Sequence, residues 1–168
     1  MSMNAAMELA PALQVRQWLN TPEPVSLEHL RGRVVVLHAF QMLCPGCVSQ
    51  GIPQAKRIQA AFPAHELAII GLHTVFEHHT VMNAQALQVF AHEYGLSFPI
   101  GIDQPPERGH VPLTMQAYAL RGTPSLIVVD RGGRIRLNHF GHADDLPLGA
   151  LLGRLLGEPF TPAQPPLP

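Results

Sequence analysis

The chain has 168 residues, a length that fits one domain with its own hydrophobic core. Charged residues make up only 14% and the net charge is −1, so the charge pattern gives no indication of nucleic acid or anionic membrane as a partner. No apolar run approaches the roughly 18 residues that a membrane span needs. Residues 1–13 contain neither Lys nor Arg and no sustained apolar segment, which argues against a signal peptide and predicts a cytoplasmic protein.

Strands and helices alternate along the predicted fold. Residues 1–25 are interpreted as an N-terminal extension that is irregular or weakly helical over 1–20, followed by a short helical turn at 26–30. A β-branched run at 33–40 predicts a strand buried on both faces. The remaining predicted elements are a helix at 45–62 with a kink at Pro53, a strand at 67–72, a helix at 82–94, a strand at 98–103, a loop at 104–112, a helix at 114–120, strands at 125–130 and 134–140, and a helix at 146–156.

The end of the chain contains a hairpin signal. Arg131-Gly132-Gly133 separates the last two strands, which predicts that they are antiparallel. Alternation followed by a hairpin and a helix predicts an α/β fold, with a central mixed sheet flanked by helices. The predicted domain covers 26–158, and the proline-rich tail at 159–168 is expected to be disordered.

Two cysteines, Cys44 and Cys47, are the whole thiol content of the chain. A disulfide between residues three apart would close a very small loop and add little stability. A close pair of cysteines in a reducing compartment is therefore interpreted as a reactive site and not as a structural crosslink.

The Cys44-Pro45-Gly46-Cys47 motif stands where a buried strand gives way to a helix. Unpaired N–H groups and the positive end of the helix dipole stabilise a thiolate there, so Cys44 is the predicted nucleophile. Pro45 suits the first helical position, Gly46 leaves the turn open to a substrate, and Cys47 can close the disulfide. A zinc site would need two more ligands, and Val48 excludes a haem-attachment motif.

The motif and its surroundings resemble the thioredoxin-like superfamily, and within it the TlpA-type or redoxin (AhpC/TSA-related) branch. The similarity covers roughly residues 26–156, through the stretches at 26–37, 44–47, 98–103 and 122–130. The resemblance implies a thioredoxin-like fold and a thiol–disulfide oxidoreductase. It implies no cofactor; the implied partners are a protein or small-molecule disulfide and a recycling thiol reductant, for a monomer or a homodimer.

The resemblance also implies a cis proline beside the cysteines. The matching residue is Pro124, preceded by Thr123. In the family this proline leaves neighbouring backbone groups free to pair with an extended substrate segment. Thr123, Pro45 and Gly46 are therefore expected to contact the substrate.

Several positions depart from the family pattern. Leu43 stands where thioredoxins have Trp, His38 where they bury a carboxylate, and Gln50 where TlpA-type proteins often have Glu. With the usual acid–base helper missing, His38 is the natural substitute as proton carrier, and a hydrogen-bonded core histidine is the alternative.

Three histidines follow the second strand of the predicted domain. His73, His78 and His79 are expected at the sheet edge that faces the cysteines. Thiolate and imidazole ligands both suit copper, so a metal-binding chaperone is the second hypothesis. A solvated loop is the alternative for the Glu77-His78-His79 segment.

Two further functions remain open. Peroxiredoxins place Pro seven and Thr or Ser three positions before the reactive cysteine, whereas these positions hold Leu37 and Gln41 before Cys44, and Phe40 and Cys44 before Cys47. A thiol peroxidase is the third hypothesis despite this mismatch. A non-catalytic adaptor is the fourth, and the intact cysteine pair argues against it. The predicted reaction is attack by Cys44 on a disulfide and resolution by Cys47, with reduction as the favoured direction.

Overall fold

The computed structural model describes residues 8–162 and contains one six-stranded mixed sheet. The strands are β1 (Val15–Leu19), β2 (Val34–Phe40), β3 (Leu67–His73), β4 (Ile100–Asp103), β5 (Ser125–Val129) and β6 (Ile135–Phe140). The helices are a π-helical turn (Cys47–Gly51), α1 (Ile52–Ala61), α2 (Ala84–Glu93), α3 (Leu113–Ala117) and α4 (Asp145–Gly157). The predicted α/β fold with a mixed sheet is confirmed.

The strand order in the sheet is β1-β4-β3-β2-β5-β6. Strands β2, β3 and β4 are parallel, while β5 runs antiparallel to β2 and to β6. The predicted hairpin between the last two strands is confirmed. Because β2 and β3 are parallel neighbours, the loops that follow them meet at one edge of the sheet.

The central strand β2 is buried at every position, and its alternating side chains enter two separate cores. Val34, Val36 and Phe40 face the layer built by α1, α2 and α4. Val35, Leu37 and Ala39 face the opposite layer, which contains α3. The strand that leads toward the cysteine motif is therefore fixed from both sides.

The N-terminal segment differs from the sequence prediction. Residues 15–19 form β1, so the prediction of an irregular or weakly helical segment over 1–20 is wrong there. β1 pairs antiparallel with β4 at the edge of the sheet. Residues 1–7 lie outside the described residues, as do residues 163–168 of the predicted tail, whereas Phe160 packs its ring under the guanidinium of Arg131 at 5.6 Å.

The helix predicted over 45–62 is interrupted just before Pro53, the residue at which a kink was predicted. Cys47–Gly51 form a π-helical turn, closed by a bond from the N–H of Ile52 to the carbonyl of Cys47, and Pro53 lies in the first turn of α1. A π-turn of this kind is often found at functional sites. Within residues 8–162, none of the helices is both long enough and apolar enough to span a bilayer.

Candidate active site

The cysteine motif begins four residues after the end of β2. The N–H of Cys44 donates to the carbonyl of Gln41 at 3.0 Å, and this turn delivers Cys44 to the start of the helix. The N–H of Val48 donates to the carbonyl of Cys44 at 3.1 Å, which continues the helical ladder. The side chain of Cys44 is half-buried and that of Cys47 is fully buried. A partner in solution therefore reaches Cys44 before Cys47.

The two cysteines are free thiols, and a hydrogen bond links the backbone of Cys47 to the sulfur of Cys44. The sulfur of Cys44 accepts the N–H of Cys47 at 3.3 Å, and the Cys44 thiol donates to the carbonyl of Thr123 at 3.5 Å. Burial and the neighbouring Cys44 thiol raise the pKa of Cys47 to about 12, although hydrogen bonds from the Gln41 backbone and the Thr123 side chain oppose the rise. Cys47 is thus a protonated thiol at neutral pH.

Pro124 lies beside the motif, and the Thr123–Pro124 peptide bond is cis. A Cβ placed on Gly46 would lie 3.4 Å from Cδ of Pro124, so the proline ring packs against the middle of the motif. Pro45 is exposed on the surface next to it. The structure therefore brings together the predicted site residues Cys44, Pro45, Gly46, Cys47, Thr123 and Pro124.

His38 occupies a different part of the site. It lies on β2, is 2% exposed, and its ring contacts Gly51 of the π-helical turn and stacks near Phe40 at 5.7 Å. Its Nε2 atom is buried with no hydrogen-bond partner among the residues the structure describes. Burial lowers the pKa of His38 to about 4, so the imidazole is neutral at physiological pH.

Sequence reasoning missed the part played by Gln41. Its side chain is 1% exposed and joins three loops: the cysteine loop that carries it, the loop after β3, and the loop before Pro124. Its Oε1 accepts the N–H of Phe76 at 3.2 Å, and its Nε2 donates to Glu77 Oε1 at 3.4 Å and to Thr123 Oγ1 at 3.5 Å. A polar residue directly after a buried parallel strand was the available signal.

The three predicted edge histidines separate into two groups. His73 is buried, and its Nε2 accepts the N–H of Met42 at 3.3 Å, so it anchors the cysteine loop. His78 and His79 are exposed. In the described range 8–162, no group of three or more His, Cys, Asp or Glu side chains is arranged to hold a metal ion. The metal-binding hypothesis therefore gains no support from the geometry.

The site combines a half-buried cysteine at a helix start with a buried second cysteine and an adjacent Thr-Pro loop, after a buried strand. This arrangement places the chain in the class of thioredoxin-like thiol–disulfide oxidoreductases. A family model described as redoxin matches residues 5–146. The chain belongs to the redoxin family.

Solved structures agree with this assignment. A thioredoxin-like superfamily protein is 52% identical and has a TM-score of 0.88, with 90% of this chain and 97% of that chain covered. A thiol-disulfide isomerase from Corynebacterium glutamicum is 51% identical, also with a TM-score of 0.88, with 92% and 99% covered.

Curated relatives are more distant. The chain is 31% identical over 155 residues to protein DipZ of Mycobacterium tuberculosis, with 89% of this chain but 21% of DipZ covered, so it spans about a fifth of that relative's length. It is 29% identical over 119 residues to the thiol-disulfide oxidoreductase ResA of Halalkalibacterium halodurans, with 71% of this chain and 60% of ResA covered.

Proposed function

We propose that this protein reduces disulfide bonds through the dithiol of its Cys44-Pro45-Gly46-Cys47 motif. One observation carries the proposal: the sulfur of Cys44 is accessible, receives the N–H of Cys47 at 3.3 Å and lies beside the Thr123–Pro124 backbone, while Cys47 is buried one turn further on. An accessible nucleophile with a buried resolving thiol is the arrangement that two-step disulfide exchange requires.

In the first step, the Cys44 thiolate attacks one sulfur of the substrate disulfide. A bond forms between that sulfur and Cys44, and the other substrate sulfur leaves as a thiolate. In the second step, Cys47 loses its proton and attacks the sulfur of Cys44, which releases the second substrate thiolate and leaves a Cys44–Cys47 disulfide. The substrate has then gained two electrons, and a thiol reductant must return two electrons to the protein.

The first test traps the intermediate. In Cys47→Ser, the mixed disulfide between Cys44 and substrate cannot be resolved, so it accumulates and is visible on a non-reducing gel. Cys44→Ser removes the accessible nucleophile and forms no such adduct. Trapping by Cys44→Ser and none by Cys47→Ser would contradict the assigned roles.

We also propose that reduction is the direction in vivo and that the protein acts in the cytoplasm. The support is compositional: both cysteines belong to the motif, and the chain carries no further cysteine for a structural disulfide of the kind common in oxidising compartments. Equilibration with glutathione or dithiothreitol is expected to give a potential near that of a reductant, about −270 mV. A value near that of a strong oxidant, about −120 mV, would contradict this direction.

We further propose that His38 accepts a proton as Cys47 becomes reactive. Two observations support this role: the buried Nε2 atom of His38 has no hydrogen-bond partner within residues 8–162, and the ring packs against Gly51 of the turn that begins at Cys47. Because burial lowers the pKa of His38 to about 4, the imidazole would hold the proton only transiently. His38→Leu should slow the second step at pH 7 and slow it less at pH 9, where more Cys47 is ionised. An equal loss at both values would contradict the role.

A further inference from the structure

The amide of Gln41 has only one orientation that satisfies its neighbours. A backbone N–H can only donate, so the N–H of Phe76, 3.2 Å away, requires the oxygen of the amide on that side. The NH₂ group must then face Thr123 Oγ1 at 3.5 Å and Glu77 Oε1 at 3.4 Å. The environment thus fixes Gln41 as a donor toward Thr123.

This orientation decides what the hydroxyl of Thr123 can do. An oxygen that accepts an N–H from Gln41 keeps its own O–H free to donate. The backbone carbonyl of Thr123 accepts the Cys44 thiol at 3.5 Å, so Thr123 lies against the cysteine pair. A hydrogen bond from the Thr123 side chain opposes the rise in the pKa of Cys47. A series of donors therefore leads from Phe76 through Gln41 to Thr123, beside the cysteine pair.

We propose that Gln41 is a positioning residue for the resolving step: its amide holds the Thr123 hydroxyl so that the O–H is directed at the sulfur of Cys47. This inference rests on the disulfide exchange proposed above. The first step is carried out by Cys44 and needs no donor at Cys47. In the second step the Cys47 proton leaves, and the sulfur attacks Cys44 as a thiolate that the Thr123 O–H stabilises.

The two steps can be timed separately with the aromatic disulfide 5,5′-dithiobis(2-nitrobenzoate). Attack by Cys44 releases one thionitrobenzoate, and attack by Cys47 on the mixed disulfide releases the second, so stopped-flow absorbance shows two phases. Gln41→Met keeps the approximate shape of the side chain and removes its donor. We expect an unchanged first phase and a second phase slowed by about threefold or more, because a smaller thiolate population is only partly offset by its greater nucleophilicity.

Gln54 provides the matched control. It is also a buried glutamine, 3% exposed, and its Nε2 donates to the Ala143 carbonyl at 2.6 Å and to Asp145 Oδ1 at 2.8 Å, away from the cysteines. Gln54→Met likewise removes the amide of a buried glutamine, with shorter hydrogen bonds than those of Gln41, and should leave both phases at the wild-type rates. Equal slowing of the second phase in both variants would overturn the role of Gln41, since it would show a general loss of stability.

A double-mutant cycle tests the route through Thr123. Thr123→Val keeps the branched shape and removes the hydroxyl, so it should slow the second phase by itself, and adding Gln41→Met should then change nothing further. An unchanged second phase in Gln41→Met, or fully additive effects in the pair, would overturn the proposal. If Gln41→Met fails to fold, an unchanged second phase in Thr123→Val overturns it. A wild-type chain that releases only one equivalent would instead contradict the disulfide exchange itself.

Discussion

The imidazole of His38 lies directly against the backbone of Gly51 in the π-helical turn: a Cβ placed on Gly51 would be 2.3 Å from Cε1 of His38. Real Cβ atoms do not approach a ring this closely, so the turn can pack on His38 only because residue 51 has no side chain. The contact joins the central strand to the helix that carries Cys47.

Substitution of Gly51 by Ala is therefore expected to destabilise the protein. Overpacking a buried site costs about 1–3 kcal/mol, since the rigid ring and the helix must move apart. Urea denaturation would measure the change. Gly149→Ala in α4 is the control, because a Cβ there meets no atom of residues 8–162 within 4 Å and alanine favours a helix by up to about 1 kcal/mol. Equal stability of the two variants would contradict the packing argument.

The buried histidines predict how stability depends on pH. Burial lowers the pKa of both His38 and His73 from 6.5 to about 4. Between these values the unfolded chain binds protons that the folded chain does not, so stability falls as the pH is lowered from about 6.5 to 4. Each histidine contributes up to about 1.4 kcal/mol per pH unit in this window.

Urea denaturation of variants at pH 7.5, 6, 5 and 4.5 isolates this contribution. His38→Leu should flatten the dependence relative to wild type, because one of the two protons taken up on unfolding is lost. His29→Gln, at an exposed position, should leave the dependence unchanged. The same slope in His38→Leu and wild type would show that His38 is not neutral in the folded protein.

Asp103 at the end of β4 is expected to be important for stability. Its Oδ1 accepts the N–H of Thr114 at 2.8 Å, and its Oδ2 accepts the N–H of Met115 at 3.0 Å and the hydroxyl of Thr74 at 2.9 Å. In Asp103→Asn, the NH₂ group would face the N–H of either Thr114 or Met115, so in both orientations of the amide one buried backbone donor would lose its acceptor. The expected loss is about 1–3 kcal/mol in thermal or urea unfolding.

The control for this change is Asp144→Asn. Asp144 is exposed and its side chain makes no capping hydrogen bond to α4, so its variant should stay within about 0.5 kcal/mol of wild type. A loss in Asp103→Asn no larger than in Asp144→Asn would mean that the three contacts contribute no net stability.

Leu43 is expected to contact protein substrates. It precedes Cys44 and is 54% exposed, so its replacement should change stability little. Burying a leucine against a partner contributes about 1.5 kcal/mol or more, so Leu43→Ser should lower kcat/KM for a protein disulfide by about tenfold. The rate with a small aromatic disulfide should change much less. Equal losses with both substrates would indicate that Leu43 affects Cys44 itself.

The sequence was informative where a local pattern carries the structural signal. The β-branched run before the motif, the period of the helices and the Gly132-Gly133 turn each depend on neighbours in the chain, and the structure places β2, α2, α4 and the final hairpin close to the predicted bounds. The same local logic found Cys44 and Cys47, because a strand that leads into a cysteine pair at a helix start is visible within about 15 residues.

The features that only the tertiary structure decided depend on contacts between residues that are far apart in the sequence. β1 was missed because an edge strand with only partial burial has a weak pattern, and its stability comes from pairing with β4. The junction at Gln41 brings together residues 41, 76, 77 and 123, which no spacing rule relates. Hence Cys44-Pro45-Gly46-Cys47 could be identified from the sequence, whereas the hydrogen bonds of Gln41 beside it could not, because they form only when three loops meet at one edge of the sheet.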